Sequence, residues 1–319
     1  MNPKPLSHLF WLLIAVIVML SACDDIIEPS ISKNQVQPES PADQYFSTSY
    51  TVNFWWDQVD HALSYHLQVV TPNFAAPGSL MLDTVVKTNK FSFNLSPGSY
   101  QWRVMAENGS SQTDYSTVRS FTVAATSIKQ QAVQLVSPAT NFLTNQSPFA
   151  FQWGLLYGAT AYRFEIDTNN FADEKTVVAN KLIPGQQISF AFPKDQSYQW
   201  RVRAENDTAQ AQWSGVNYIT YDHTPPGQVS LTSPTDAQTL SKPVVLQWAT
   251  VATATRYKLY AYKSDSSTFY SATFPLALTV TSYTFSLGNS GDKIYWKVSA
   301  IDAAGNEGQA STLRSFTLQ

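Results

Sequence analysis

The chain has a single cysteine among its 319 residues, and this scarcity limits how the protein can be stabilised. One thiol cannot form a disulfide within the chain. Any folded domain must therefore be held together by side-chain packing alone. The one cysteine, Cys23, lies close to the N-terminus, directly after an apolar run.

Charged residues are also few and nearly balanced. The chain has 20 Lys and Arg against 23 Asp and Glu, which gives a formal net charge of -3. Nucleic-acid binding requires a basic surface that displaces counterions from the phosphates, so this balance argues against a nucleic-acid partner. The longest charge runs, Asp24-Asp25 and Asp173-Glu174-Lys175, are too short to form a charged tail.

Residue patterns typical of catalysis are scarce. Only 12 glycines are present and none forms a phosphate-binding loop, no serine lies in a nucleophile-elbow context, and the carboxylates do not recur as pairs. Outside the N-terminal apolar region the histidines are His61, His66 and His223. His61 and His66 are five residues apart around a predicted strand, a poor spacing for a metal pair. The sequence therefore predicts a protein that is not an enzyme and binds no metal through histidine.

The N-terminus contains an apolar segment of an unusual length. Residues 9–20, LFWLLIAVIVML, are too few for an ordinary membrane span. Lys4 precedes them, and the small residues Ser21 and Ala22 lead directly to Cys23. This pattern resembles a bacterial lipoprotein signal peptide of residues 1–22, cleaved between Ala22 and Cys23. The alternative is a plain secretory signal with an incidental cysteine.

The lipoprotein resemblance implies that the Cys23 thiol carries covalent lipid, the only group attached to the protein, and that the chain is a membrane partner. Each buried methylene of the acyl chains adds about 0.8 kcal/mol to anchoring. Residues 23–37 are then predicted to be the acylated cysteine and a flexible tether. Asp24 resembles an inner-membrane retention signal of some Gram-negative systems, and equally an acidic surface-export signal of the Bacteroidetes. The predicted location is the cell envelope, at the periplasmic or surface face of the outer membrane.

One nine-residue stretch recurs three times. It reads YQWRVMAEN from Tyr100, YQWRVRAEN from Tyr198 and IYWKVSAID from Ile294. Other landmarks recur in register with a period of 95 to 98 residues; they are Ser40-Pro41, Ser137-Pro138 and Ser233-Pro234, then Trp56, Trp153 and Trp248, then Tyr65, Tyr162 and Tyr257, and finally Phe121, Ile219 and Phe316. Such a repeat predicts three copies of one domain, at residues 38–124, 133–222 and 228–319.

Each copy has short runs of period-two alternation bounded by Pro, Gly, Asn and Ser, which predict strands. In the first recurring stretch, Tyr100 and Trp102 are expected to face inward and Arg103 outward. Six or seven such strands fit in each copy. The predicted fold is all-β, with three tandem antiparallel β-sandwich domains.

The order of these landmarks resembles the fibronectin type III fold, within the immunoglobulin-like sandwiches. Trp56, Trp153 and Trp248 match the core tryptophan of its second strand, and Tyr100 and Tyr198 match its corner tyrosine. The third copy departs from the pattern, because Ile294 has no hydroxyl for the corner hydrogen bond. The resemblance covers almost all of the chain after the signal peptide and implies the fold, but it implies little about function.

Two kinds of candidate site remain. Asp167 with Asp173, and separately Asp302, lie in acidic loops whose oxygens suit calcium, although Asp, Asn and Gly are also ordinary turn residues.

Trp55 neighbours the inward Trp56 and is expected to face solvent. Tyr115 and Trp213 occupy equivalent positions, which Ala310 occupies in the third copy. Trp213 resembles the Trp-Ser element of cytokine-receptor domains, which stacks on arginines, and this predicts stacking on Arg201 and Arg203.

Two functions are consistent with these features. The first is a non-catalytic lipoprotein that presents a protein-interaction, scaffold or adhesion surface to another envelope protein, through Trp55, Tyr115 or Trp213. The second is a glycan-binding lipoprotein accessory to polysaccharide uptake, in which exposed rings stack on sugars. Capture of a protein partner would favour the first function and binding of a polysaccharide the second.

Overall fold

The computed structural model describes residues 28–319, so the predicted signal peptide, Ala22, Cys23 and the first residues of the predicted tether lie outside the described residues. The described chain is all-β, with 25 short strands and a single 3-10 turn at Ile128–Gln130. Within residues 28–319 there is no helix with the length and apolar character needed to cross a membrane. The chain divides into two compact units, Met1–Ser127 and Ile128–Gln319.

The first unit contains one sandwich. Its smaller sheet has the order β1-β3-β6, and its larger sheet the order β2-β8-β7-β4-β5. The strands are β1 (Pro38–Ser40), β2 (Tyr45–Ser47), β3 (Thr51–Trp56), β4 (Ser64–Pro72), β5 (Pro77–Val86), β6 (Lys90–Asn94), β7 (Gly98–Glu107) and β8 (Arg119–Val123). The inner faces meet through Phe54 of the smaller sheet, whose ring centroid lies 5.4 Å from Trp102 and 5.9 Å from Phe121.

The second unit contains two sandwiches with the same sheet order. The first of these has the sheets β9-β11-β14 and β10-β17-β15-β12-β13, with β16 paired to β15. Its strands are β9 (Leu135–Ser137), β10 (Phe142–Thr144), β11 (Phe149–Trp153), β12 (Ala161–Asp167), β13 (Ala179–Ile183), β14 (Gln187–Phe190), β15 (Gln196–Asn206), β16 (Ala209–Gln210) and β17 (Asn217–Tyr221).

The last sandwich has the sheets β18-β20-β23 and β19-β25-β24-β21-β22. Its strands are β18 (Leu231–Ser233), β19 (Gln238–Leu240), β20 (Val244–Trp248), β21 (Arg256–Tyr262), β22 (Leu276–Leu278), β23 (Ser282–Phe285), β24 (Lys293–Ile301) and β25 (Arg314–Leu318). The predicted fold of three tandem sandwiches is confirmed by this strand pairing.

The recurring Ser-Pro pairs mark the place where the first extended segment of each sandwich changes sheet. β1 ends at Ser40 and pairs antiparallel with β3, whereas β2, just beyond Pro41, pairs parallel with β8. The same change separates β9 from β10 and β18 from β19. Proline has no N–H to donate, so it ends the first ladder and frees the chain to join the second sheet.

Two tryptophans lie at the centre of each core, as the repeat predicts. Their side chains are buried at Trp56 and Trp102, Trp153 and Trp200, and Trp248 and Trp296. Each can bury roughly 150–250 Å², which at about 25 cal/mol per Å² contributes several kcal/mol before entropy is subtracted. The expected alternation is also present, because Tyr100 and Trp102 are buried whereas Arg103 is half-buried on the outer face.

Tyrosine hydroxyls fix the turns around these cores. Tyr100 donates to the carbonyl of Ser96 at 2.6 Å and Tyr198 to that of Lys194 at 2.7 Å, which confirms the corner tyrosine in two copies. A second bond is present in all three copies and was not predicted. In each copy, a tyrosine nine residues after the first core tryptophan accepts a backbone N–H through its hydroxyl. The N–H of Val59 donates to Tyr65, that of Leu156 to Tyr162 and that of Val251 to Tyr257.

Residues 28–37 differ from the predicted flexible tether, because they pack on the first sandwich. Ile31 and Val36 are buried, and the Ile31 N–H donates to the Ser111 hydroxyl at 2.9 Å. Asn108 donates to the carbonyl of Pro29 at 2.9 Å. Two isolated apolar residues in a polar stretch give no periodic pattern, which is why this packing was not apparent in the sequence.

Candidate functional site

The outer face of the larger sheet in the second sandwich contains an arginine between two rings. The guanidinium carbon of Arg201 lies 4.1 Å from the ring centroid of Phe171 and 4.1 Å from that of Trp213. Arg203 lies 4.6 Å from Trp213 as well. The stacking of Trp213 on Arg201 and Arg203 is therefore present as the sequence predicted, and the indole is half-buried by its own domain.

The charges of this face are paired within the domain. Arg201 donates twice to Glu165, at 2.9 and 2.8 Å, and Glu165 is buried. Glu205 accepts from Arg163 at 2.6 Å and from Arg203 at 2.8 Å. The hydrogen bond from Arg163 is the largest influence that lowers the pKa of Glu205. Carboxylates whose charge is already compensated by such partners leave little charge for a ligand.

The first sandwich repeats the arrangement with different residues. The Arg103 guanidinium lies 4.0 Å from the Tyr115 centroid and 4.3 Å from that of Phe74. The Tyr115 hydroxyl lies 3.2 Å from Nδ1 of His66, whose Nε2 forms a short contact with Asp83. Hydrogen bonding to His66 lowers the pKa of Asp83. Tyr115 is thus engaged by its own domain in the same manner as Trp213.

A serine follows this position in all three sandwiches. Ser116, Ser214 and Ser311 each accept a backbone N–H of the neighbouring strand through Oγ, at 3.1, 3.0 and 3.1 Å, and each donates to the next carbonyl. This shared geometry makes the preceding residues structurally equivalent. They are Tyr115, Trp213 and Ala310, so the third sandwich has a methyl group where the other two have a ring.

The third sandwich has rings on the neighbouring strand instead. Tyr260 and Tyr262 lie on β21 with ring planes 15° apart, and Phe269 lies 5.2 Å from Tyr262 with planes 14° apart. Lys297 takes the place of Arg103 and Arg201, with Nζ 5.2 Å from the Tyr260 centroid. Sequence reasoning missed this group, because only Tyr257 of β21 belongs to the repeat.

Trp55 lies on the outer face of the smaller sheet of the first sandwich and is 48% exposed. Ser40 and Lys90 are its register partners on the two neighbouring strands. Beside it, Ser92 donates to the Asn53 side chain at 2.7 Å. We call these five residues the Trp55 surface; they border a depression of about 620 Å³.

Internal comparison shows that the ring of Trp55 is particular to the first copy. The residue before the core tryptophan is Gln152 in the second copy and Gln247 in the third. Trp55 makes no ring or cation contact within residues 28–319. It faces away from Tyr115, since the two residues lie on the outer faces of different sheets of the same sandwich. The two predicted candidates therefore do not form one site.

The acidic loops considered for calcium use their carboxylates within their own turns. Asp167 is buried and accepts the N–H groups of Asn169 at 3.1 Å and Phe171 at 2.8 Å. Asp173 accepts the N–H of Lys175 at 2.9 Å. Among residues 28–319 no group of three or more His, Cys, Asp or Glu side chains is arranged to hold a metal ion.

Asp302 forms part of a junction between the two sandwiches of the second unit. It is buried, and its Oδ1 accepts the N–H groups of Gly305 at 2.8 Å and Asn306 at 2.9 Å. The Asn306 side chain donates to Asp302 Oδ2 and to the carbonyl of Asp222, both at 2.9 Å. Asp222 directly follows β17, so this loop connects the second and third sandwiches.

Comparisons with known proteins give structural neighbours only. No protein-family model matches the chain, and no curated protein matches it. The FN1-FN3 domains of chicken CNTN1 match with 16% identity and a TM-score of 0.42, over 89% of this chain and 97% of that one. The fibronectin(III)-like modules of CbhA from Clostridium thermocellum match with 13% identity and a TM-score of 0.36, over 58% of this chain and 92% of that one. The fold described above rests on the strand pairing of this chain.

Proposed function

We propose that the protein is a non-catalytic, lipid-anchored envelope protein whose sandwiches present a binding surface to another envelope protein, and that the Trp55 surface is the contact. The observation that carries the proposal is the half-exposed Trp55 ring. The outward rings of Tyr115 and Trp213 stack on arginines of their own domains, whereas Trp55 has no such partner in the described residues.

The composition of the Trp55 surface fits a protein contact. Tryptophan is enriched among the few interface residues that contribute most of the binding free energy, and such residues are usually surrounded by a polar rim. Here Ser40, Asn53, Ser92 and Lys90 surround the ring. The hydrogen bonds between Ser92 and Asn53, and from Ser40 to the Asn53 carbonyl at 3.1 Å, hold that rim in place.

The test is site-specific crosslinking in the native host, with the full-length protein. A photoreactive residue in place of Lys90 should give one defined adduct with an envelope protein. Trp55→Gln, which installs the residue of the second copy, should abolish the adduct. Tyr218→Gln, at another exposed ring that is 41% accessible, is the matched control and should leave it intact. Absence of an adduct, or an adduct that persists in Trp55→Gln, would overturn the proposed contact.

The anchor is tested separately. If Cys23 is acylated, the protein should incorporate an alkyne-labelled fatty acid and fractionate with membranes. Cys23→Ser should lose both properties. Labelling that survives Cys23→Ser, or no labelling of the original protein, would contradict the lipid anchor. Neither result would bear on the proposal that the Trp55 surface is the protein contact.

A further inference from the structure

The third sandwich has an open groove where the other two have a ring. Tyr115 and Trp213 cover Arg103 and Arg201 on the outer face, and the equivalent residue beside Lys297 is Ala310. The space left by the missing ring is a groove of about 480 Å³, bordered chiefly by Tyr262, Ser267, Lys297, Gln309, Ala310 and Leu313. This volume falls within the range of about 300–1,000 Å³ that small-molecule sites occupy.

One wall of the groove is an aromatic ring held in a fixed orientation. Tyr262 forms a three-ring cluster with Tyr260, whose centroid is 6.3 Å away, and Phe269, whose centroid is 5.2 Å away, and its plane differs from theirs by only 15° and 14°. Tyr260 and Phe269 also contact each other, with centroids 6.5 Å apart. Two near-parallel neighbours restrict the rotation of the Tyr262 ring. A ring with a fixed orientation binds a flat partner at a lower entropic cost than a mobile one.

The groove also contains polar groups whose hydrogen-bonding capacity the domain leaves unfilled. Neither the ammonium group of Lys297 nor the side-chain amide of Gln309 forms a hydrogen bond within residues 28–319. The nearby Lys258, in contrast, pairs with Glu307 at 3.1 Å, and Glu307 also accepts from Tyr260 at 2.7 Å. Lys297 has cation–π contacts with Tyr260 at 5.2 Å and Tyr262 at 5.8 Å but no carboxylate partner in the described residues, so its ammonium can still donate hydrogen bonds to a ligand.

We propose that this groove binds a sugar ring that carries a carboxylate, such as a uronic acid residue of a polysaccharide. The C–H face of the pyranose would lie on Tyr262, its hydroxyls would meet Gln309, and its carboxylate would meet Lys297. An aromatic side chain of a partner protein fits less well, because it would bury the ammonium and the amide without hydrogen bonds. The proposal does not depend on the Trp55 surface.

The test is calorimetric titration of the full-length protein with two matched probes, an oligogalacturonate and its fully methyl-esterified form. The acidic probe should bind, and the ester should bind at least about tenfold more weakly because it cannot pair with Lys297. Lys297→Gln should remove that difference. Ala310→Trp, which installs the ring of the second copy, should fill the groove and abolish binding. Each variant should melt within a few degrees of the original protein, which shows that its domain is folded.

Controls separate this proposal from the Trp55 surface. Trp55→Gln should leave the titration unchanged, and Ala310→Trp should leave the crosslinked adduct unchanged. Failure of both probes to bind at millimolar concentration would overturn the proposal. So would equal binding of the two probes, or a titration unaffected by Ala310→Trp. Binding of a tryptophan-containing peptide that Ala310→Trp abolishes, with no oligosaccharide binding, would assign the groove to a protein partner instead.

Discussion

The guanidinium of Arg201 and the indole of Trp213 are in direct contact, with the guanidinium carbon 4.1 Å from the ring centroid. Phe171 covers the opposite face of the cation at the same distance. A guanidinium held between two rings is partly desolvated, which strengthens its attraction to the ring quadrupoles and to Glu165. The pair therefore contributes to stability and does not need a ligand.

Removing the indole should destabilise the second sandwich. Trp213→Ala loses the cation–π attraction of about 1–2 kcal/mol together with some apolar contact, so the free energy of unfolding should fall by about 2–3 kcal/mol. Urea unfolding of the full chain, followed through the transition of this domain, measures the change. Trp55→Gln is the control and should change stability by less than about 0.5 kcal/mol. Equal effects of the two substitutions would contradict the stacking role.

The corner hydrogen bond should be measurable with a single-atom change. Tyr198→Phe removes the hydroxyl that donates to Lys194 and leaves that carbonyl without its partner, so stability should fall by about 1 kcal/mol. Tyr218→Phe is the matched control, because Tyr218 is 41% exposed and its hydroxyl lies at the surface. A loss of stability in the control as large as that in Tyr198→Phe would show that the corner bond contributes nothing specific.

The acid stability of the second sandwich should depend on Glu205. Arg163, and then Arg203, lower its pKa in the folded state below the ordinary value of 4.5. The stabilisation is therefore fully present above the unfolded pKa and is lost as the pH falls through the lower folded pKa. Glu205→Gln should be less stable than the original protein at pH 7, and the difference should shrink in acid. Urea unfolding at several pH values measures this difference in unfolding free energy.

Glu174 provides the control for that series. Its carboxylate is 66% exposed and lies 3.4 Å from Arg201, so Glu174→Gln should have a small effect at every pH. If the loss of unfolding free energy in Glu205→Gln stays constant from neutral pH into strong acid, the ionised Glu205 carboxylate is not its cause.

Calcium should leave the melting temperature of the third sandwich unchanged. The Asp302 carboxylate already accepts three N–H groups, from Gly305, from Asn306 and from the Asn306 side chain. Melting curves with calcium chloride and with EDTA should therefore coincide. Asp302→Ala should destabilise the domain by about 1–3 kcal/mol in both solutions, because it leaves buried donors unpaired. A calcium-dependent rise that Asp302→Ala removes would instead establish a metal site.

The sequence predicted those parts of the fold that depend on alternation and repetition. Trp102 and Tyr100 alternate with polar residues and recur in register, so their burial follows from the pattern. The packing of Ile31 could not be predicted, since its neighbours in space, such as Ser111, are distant in the chain. The parallel pairing of β2 with β8 was equally hidden, because three residues are too few to show a period.

The candidate surfaces were only partly predictable, for a related reason. Trp55 is outward simply because Trp56 is inward, and the stacking of Trp213 follows from outward arginines on the next strand. The alignment of Ala310 with Tyr115 and Trp213 could be made from the sequence, and the equivalent bonds of Ser116, Ser214 and Ser311 agree with it. The groove itself could not be predicted, because its other wall is formed by Tyr262, which belongs to no repeated landmark.

The parallel pairing of β2 with β8 also sets the order in which the chain can fold as it is synthesised. Tyr45, near the start of the first sandwich, lies opposite Phe121, near its end, so the larger sheet closes only after almost the whole copy has been made. Sandwich folds close such distant contacts in about milliseconds to seconds, whereas synthesis at about 5–20 residues per second needs several seconds or more to add the next copy. Each copy can therefore bury its YQWRV-type strand before the next, nearly identical strand is available, which limits mispairing between neighbouring copies.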